Sequence, residues 1–265
     1  MRSLHVLGYL LLLTLFTFSC RPEGEIVRAD LDSFDARDQA KIGNTLSRHV
    51  LQNPATFSLY RPQVNQELYG YANAVLNTAR NTMIVENRDI FNWEIFIERD
   101  EENISAYTMP GGKIFITSRF LRLIDSEAQF LSVIAHEMCY ADTGISMRIL
   151  QDDFSGLILG DIIFNNPVDE LDDMVRTLQN TRVSEAQVEM ADLFSIEIMC
   201  PFQYSTDGIA TIIDNVSDNE FPLNWQLLRP EYTGRSDTIR SHALICGDGI
   251  FEEERYRAMV INNLD

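Results

Sequence analysis

Ala135-His136-Glu137-Met138-Cys139-Tyr140 closes an apolar run that begins near Ala128, and its reading decides the fold. The string is His-Glu-x-x-His with tyrosine in the last position. On a helix of 3.6 residues per turn, residues four apart share a face, so two histidines at that spacing can aim at one zinc ion. The glutamate between them polarises the metal-bound water. Here His136 and Glu137 are present, but Tyr140 brings a phenol that ordinarily titrates near about 10 and is neutral at pH 7. The spacing predicts a helix shaped for a zinc site that lacks one of its ligands.

Working outward, Asp125-Ser126-Glu127 supplies the cap that starts this helix. Upstream, Ala106 to Met109, Pro110-Gly111-Gly112 and Lys113 to Thr117 read as strand, tight turn and strand. Phe91 to Ile97 alternates apolar and polar, which predicts a further strand, and Asp100 to Asn103 is a charged turn. A short helix is expected from Phe120 to Ile124. Helical spacing also marks 35–51 (Ile42, Leu46, Val50), stopped by Asn53-Pro54, then 63–80, and 184–199 with Val188, Ala191, Phe194 and Ile198 on its apolar side.

Residues 154–164 are strongly apolar, but a bilayer span needs about 20 residues and this stretch contains an aspartate. A buried hairpin or helix pair is expected there, followed by Asp169 to Asp173 as a solvated helix face. The C-terminal third reads as helical and polar, broken at Pro222, Pro230 and Gly234. There is no internal repeat.

The 265 residues suit one domain of moderate size with a tether, and 45% hydrophobic content suits a packed core. Forty acidic against 21 basic residues give a formal charge of −19. That balance excludes nucleic acid as a partner and excludes docking on anionic lipid through a basic patch. At the N-terminus, Arg2, the apolar Val6 to Phe18 and Ser19-Cys20 have the layout of a bacterial lipoprotein signal. Thr17 makes the cleavage site a loose one. The expected division is a signal peptide over 1–19, a lipidated tether over 20–34 with lipid on Cys20, and one domain over 35–265. Ordinary secretion and a retained N-terminal anchor are the alternatives, and all three place the domain outside the cytoplasm. Once Cys20 is lipidated, Cys139, Cys200 and Cys246 allow one disulfide and one leftover thiol. Cys139 is expected to be an inert core thiol.

Several blocks together resemble one family, the HtpX-like and CAAX-prenyl-protease-type zinc metallopeptidases (gluzincins) in their periplasmic lipoprotein branch. Ala106-Tyr107-Thr108-Met109-Pro110-Gly111-Gly112 is similar to the family's Asn-Ala-(aromatic)-x-x-Pro-Gly-Gly. Thr117-Ser118-Arg119-Phe120-Leu121 is similar to its Thr-x-Gly-Leu-Leu, with arginine for glycine. Glu127-Ala128-Gln129 is similar to the family's Glu-Ala-Gln before the zinc helix, and Ala191-Asp192 to the end of its Glu-x-x-Ala-Asp helix. Phe194 to Pro201 also resembles the lipoprotein branch. The likeness runs over about residues 35–245, as spaced blocks.

The resemblance implies a mostly helical α+β domain, with a small sheet edging a cleft and a long helix carrying the degenerate motif. It also implies a third zinc ligand, and counting back from Ala191 places that position at Val188. Glu185 and Glu189 are turned away on the same helix, and Glu189 reaches the site only if the helical register slips. The family's Arg-His after the motif is Gly144-Ile145 here, and its late His-Pro is missing around Gly234 to Arg240, with His242 past that position. Asp192 would orient His136. Cys139, three residues after His136, could join a rearranged His-Cys site, although two ligands make a weak one. His5 and His49 are expected to be signal-segment and packing residues.

Two of three zinc ligands are therefore replaced, and no cofactor is expected. Without metal, Glu137 would be protonated or hydrogen-bonded to His136, and His136, Glu137 and Asp192 would form a polar cluster joining two helices. The strand pair would supply a groove edge at Ala106, Tyr107, Met109, Gly112, Lys113 and Phe115, where extended peptides pair through backbone hydrogen bonds. A plain hairpin explains those residues equally well. The expected function is that of an envelope lipoprotein, a pseudopeptidase that binds extended polypeptides or a partner protein. The alternatives are a working zinc endopeptidase with an unusual ligand set, with Glu137 as base and His136 as one ligand, and a purely structural envelope component.

Overall fold

The computed structural model describes residues 34–218 and 234–264. The signal segment, Cys20, nearly all of the tether, Pro222 and Pro230 lie outside the described residues. Helix α1 (Ala36–Gln52) starts where the Asp35 carboxylate accepts the Arg37 and Asp38 backbone N–H groups at 2.8 and 2.9 Å. That contact satisfies donors that every helix start leaves over. Ile42, Leu46 and Val50 recur every four residues and are fully buried. Helix α2 (Gln66–Arg80) buries Leu68, Ala72, Val75 and Leu76 in the same manner.

Strands β1 (Glu94–Glu98), β2 (Ala106–Met109) and β3 (Lys113–Thr117) form one sheet in the order β1-β3-β2. β1 lies parallel to β3, and β2 antiparallel to it. Gly111 and Gly112 turn the chain from β2 into β3 at φ values of +73° and +84°, a region that side chains disfavour. Both faces of the sheet are covered, so strand alternation sorts residues between two cores. Ile95, Ile97, Ala106, Ile114 and Ile116 join the main core with α2. On the other face Phe96, Phe115 and Tyr107 stack across the three strands, with ring centroids 4.7 and 4.9 Å apart, and join a second core with α1.

The other described helices are α3 (Ser118–Leu123), α4 (Glu127–Asp142), α5 (Ile145–Asp153), α6 (Gly156–Ile163), α7 (Leu171–Asn180), α8 (Glu185–Met199), α9 (Gly208–Asp218), α10 (Arg235–Ala243) and α11 (Glu253–Met259). α4 runs through the main core against α2, α8, α9 and β2. All 16 of its residues are buried, as befits a helix that is apolar on nearly every side. Ser126 caps it by accepting the Gln129 N–H, and Ser184 with Gln187 forms a reciprocal capping box on α8. The fold is mostly helical α+β with a small sheet, as expected. No described helix is long and apolar enough to cross a membrane.

Residues 154–164 depart from the expected buried hairpin or helix pair. They form the single helix α6, which buries Leu159 and Ile162 but leaves Leu157 and Phe164 83% and 76% exposed. A continuous apolar run carries no period, so it cannot say which side is covered. The acidic run opens α7, with Asp172 and Asp173 in the first turn, where carboxylates suit the helix dipole. Cys200 and Cys246 form a disulfide, and Cys139 is buried and takes no part in one.

Candidate functional site

His136, Glu137 and Tyr140 lie on α4 and Asp192 on α8, while Arg235 opens α10, which packs on α8 and α9. The four-residue spacing on α4 brings His136 Nε2 within 2.8 Å of the Tyr140 hydroxyl, with the rings edge to face. Burial drives the His136 pKa below its usual value, against the upward pull of Asp192, so the imidazole is neutral. Burial, with the nearby Glu137 charge, drives the Tyr140 pKa well above 10. Tyr140 therefore keeps its proton and donates it to Nε2. Nδ1 carries the remaining hydrogen toward Asp192 Oδ1, 3.1 Å away, in an alignment that falls short of a full hydrogen bond.

Asp192 is buried but ionised. Burial alone would raise its pKa, and the contacts from His136 and Arg235 outweigh that and lower it. Arg235 grips both oxygens, Nε on Oδ2 and Nη2 on Oδ1, each at 2.7 Å. This fork is the strong form of a charge-assisted pair. Glu137 does not bond to His136. Its Oε2 accepts the Thr108 hydroxyl of β2 at 2.8 Å, and burial, partly offset by that bond, raises its pKa to about 7.

The residues present do not fit a zinc ion. The Nε2 lone pair that a metal would take is engaged by Tyr140, and that phenol is far from ionising. Val188, at the third position, is buried and has no donor atom. Asp192 already has both oxygens on Arg235. Glu185 and Glu189 are exposed, so the slipped register is not what the fold adopts. They line, with Val188, Asp192, Arg235 and His242, a cleft of about 150 Å³ between α8 and α10. Cys139 is packed in the main core. Among the described residues, no three His, Cys, Asp or Glu side chains converge to hold a metal ion. His49 ties α1 to α7 through Asp172 at 2.6 Å, and His5 lies outside the described residues.

The fold thus brings together His136, Glu137, Tyr140, Val188 and Asp192. It does not assemble the groove edge expected from Ala106, Tyr107, Met109, Gly112, Lys113 and Phe115. Lys113 and Phe115 belong to β3, the central strand, whose hydrogen-bonding sides are both taken. β2 is at the sheet's end, yet all four of its residues are buried, and α7 packs on it. The Tyr107 hydroxyl bonds to Glu98, and Gln179 of α7 donates to that hydroxyl. Gly112 sits in the turn beneath the Trp93 ring. Lys113 is 1% exposed, with Nζ held by the Asn92 carbonyl and Glu94. The outer side of β1 is covered as well, because Tyr60 and Arg99 bond across between residues 58–60 and β1's end.

Sequence reasoning missed two members of the cluster. Thr108 had a signal, as the polar residue in an otherwise apolar strand facing the motif helix. Arg235 had a fainter one. A carboxylate buried at Asp192 needs a cation, and Arg235 is the first residue after the Gly234 break.

No curated protein matches the chain. Residues 70–149, which include the sheet and α4, match the model of one protein family, Peptidase family M48, so that over this block the chain is metallopeptidase-like.

Proposed function

We propose that this chain is a zinc-free relative of the metallopeptidases that acts by binding a partner protein in the bacterial cell envelope. One observation carries the reading: the Tyr140 hydroxyl, on the same helix, takes the imidazole nitrogen that a catalytic metal would need. A catalytic zinc requires three protein ligands and a water. Val188 cannot be one of them, and Asp192 is neutralised by Arg235. What remains is a closed polar lock between α4, α8 and α10. The buried β2 speaks against capture of extended polypeptides by strand pairing, which leaves a folded partner as the favoured client. We place the domain on the periplasmic side, anchored through lipid on Cys20. The Cys200–Cys246 bond supports a location outside the reducing cytoplasm.

Elemental analysis of the purified chain tests the reading. Well under one zinc per chain is expected, with no cleavage of casein. Stoichiometric zinc, together with casein cleavage that Glu137→Ala abolishes, would instead establish an endopeptidase with an unusual ligand set. The double variant Tyr140→His/Val188→Glu is expected to take up zinc, because it returns donors to both positions. Mass spectrometry of the mature N-terminus tests the anchor, and an unmodified Cys20 would refute it.

A further inference from the structure

Helix α6 is apolar on nearly every side, with Asp161 its one charged residue, yet among the described residues only one side of it is covered. Leu159 and Ile162 enter the second core, and the helix packs on α1. On the other side, Gly156, Gly160 and Phe164 follow at four-residue spacing, each step turning only about 40°, and Leu157 stands beside them. Leu157 and Phe164 are 83% and 76% exposed. Space next to Gly156 and Gly160 is open, since a methyl group added at either would meet nothing within 4 Å. Two large apolar side chains thus flank a shallow notch, the layout of an anchor-and-groove contact.

Charge selects the occupant. Between Arg148 and Arg176 the chain has seven acidic residues and no basic one. Of these, Asp152 and Asp153 precede α6 and Asp169 and Asp173 follow it, all four exposed. A second copy of the chain, or an anionic lipid surface, would bring like charge against that rim, which costs association. We infer that α6 is a docking face for a basic partner segment that carries an apolar anchor, with Leu157 and Phe164 as the contact and the acidic rim supplying attraction. The inference is independent of whether the α4 site holds metal.

Fluorescence anisotropy with the full chain and three labelled synthetic peptides of equal length tests it. One peptide is a lysine-leucine amphipathic helix, one is lysine-rich without leucine, and one is a glutamate-leucine amphipathic helix. The lysine-leucine peptide is expected to bind best, more weakly as salt rises. Leu157→Ser/Phe164→Ser should weaken it by about tenfold or more, and Asp152→Asn/Asp153→Asn/Asp169→Asn should weaken it too. All five side chains are exposed, so unchanged thermal melts are expected to show that both variants still fold. Equal binding by the wild-type chain and the Leu157→Ser/Phe164→Ser variant would overturn the inference, as would equal binding of the glutamate-leucine peptide. Self-association, or partition onto phosphatidylcholine vesicles, that the same double variant abolishes would also overturn it by assigning the face to another occupant.

Discussion

Helices α4 and α6 are both apolar on nearly every side, and the fold treats them in opposite ways. All of α4 is buried among α2, α8, α9 and the sheet, whereas α6 hides one side and shows Leu157 and Phe164 to solvent. The contrast teaches where polar chemistry can persist. Inside α4's surroundings the polar side chains of the cluster are held by specific partners: His136 by Tyr140, Asp192 by Arg235, Glu137 by Thr108. Around α6, the carboxylates of Asp152, Asp153, Asp169 and Asp173 stand exposed to water. On the function proposed above, the metallopeptidase-like block serves as a closed scaffold and recognition falls to α6.

The largest effect expected is in α4. Leu131→Ala, at a fully buried position, should cost about 2–5 kcal/mol in urea unfolding. Leu157→Ala in α6 should stay within about 0.5 kcal/mol. Equal costs at the two positions would break the comparison outright.

Arg235→Ala should cost about 3 kcal/mol, because it strands the buried Asp192 charge. Asp192→Asn in the Arg235→Ala background should recover part of that loss. If it recovers nothing, the fork is not what stabilises the junction of α8 and α10.

A pH series sharpens the view of the interior. Burial, the largest influence on each, raises Glu98 and Glu137 to a pKa of about 7. The folded chain then keeps protons that the unfolded chain releases above its ordinary carboxyl pKa. Stability from this source is fully present below about pH 4.5, falls as pH rises to about 7 and is flat beyond, losing about 3 kcal/mol per group. Glu137→Gln should flatten the slope, and a slope that rises with pH over this window would contradict the assigned burial. Smaller again, Tyr140→Phe should cost about 1–2 kcal/mol, by leaving the Nε2 acceptor unpaired in the core.

Much of this architecture was legible in the residues. The spacing of Ile42, Leu46 and Val50, the Ser126 cap and the Pro110-Gly111-Gly112 turn are local signals, and local physics decides them. Pairing order is not local. Alternation in Lys113 to Thr117 reads alike for a central and an edge strand, and only the pairing of β1 on the far side of β3 decides between a groove edge and a closed sheet. The run through α6 has no period to show its covered side. Within the candidate site, His136, Glu137, Tyr140 and Asp192 could be named from their spacing and resemblance. Arg235 could not, because it meets Asp192 from 43 residues away, across a connection whose path no periodicity describes.

The chain has only two lysines, Lys41 on α1 and Lys113 at the start of β3. The Lys41 side chain is 55% exposed, and that of Lys113 is 1% exposed. An amine-reactive label should therefore mark Lys41 at once and reach Lys113 only when the sheet comes apart. The rate at which that second site is tagged becomes a clock for opening of the protein's centre, readable from a single peptide mass.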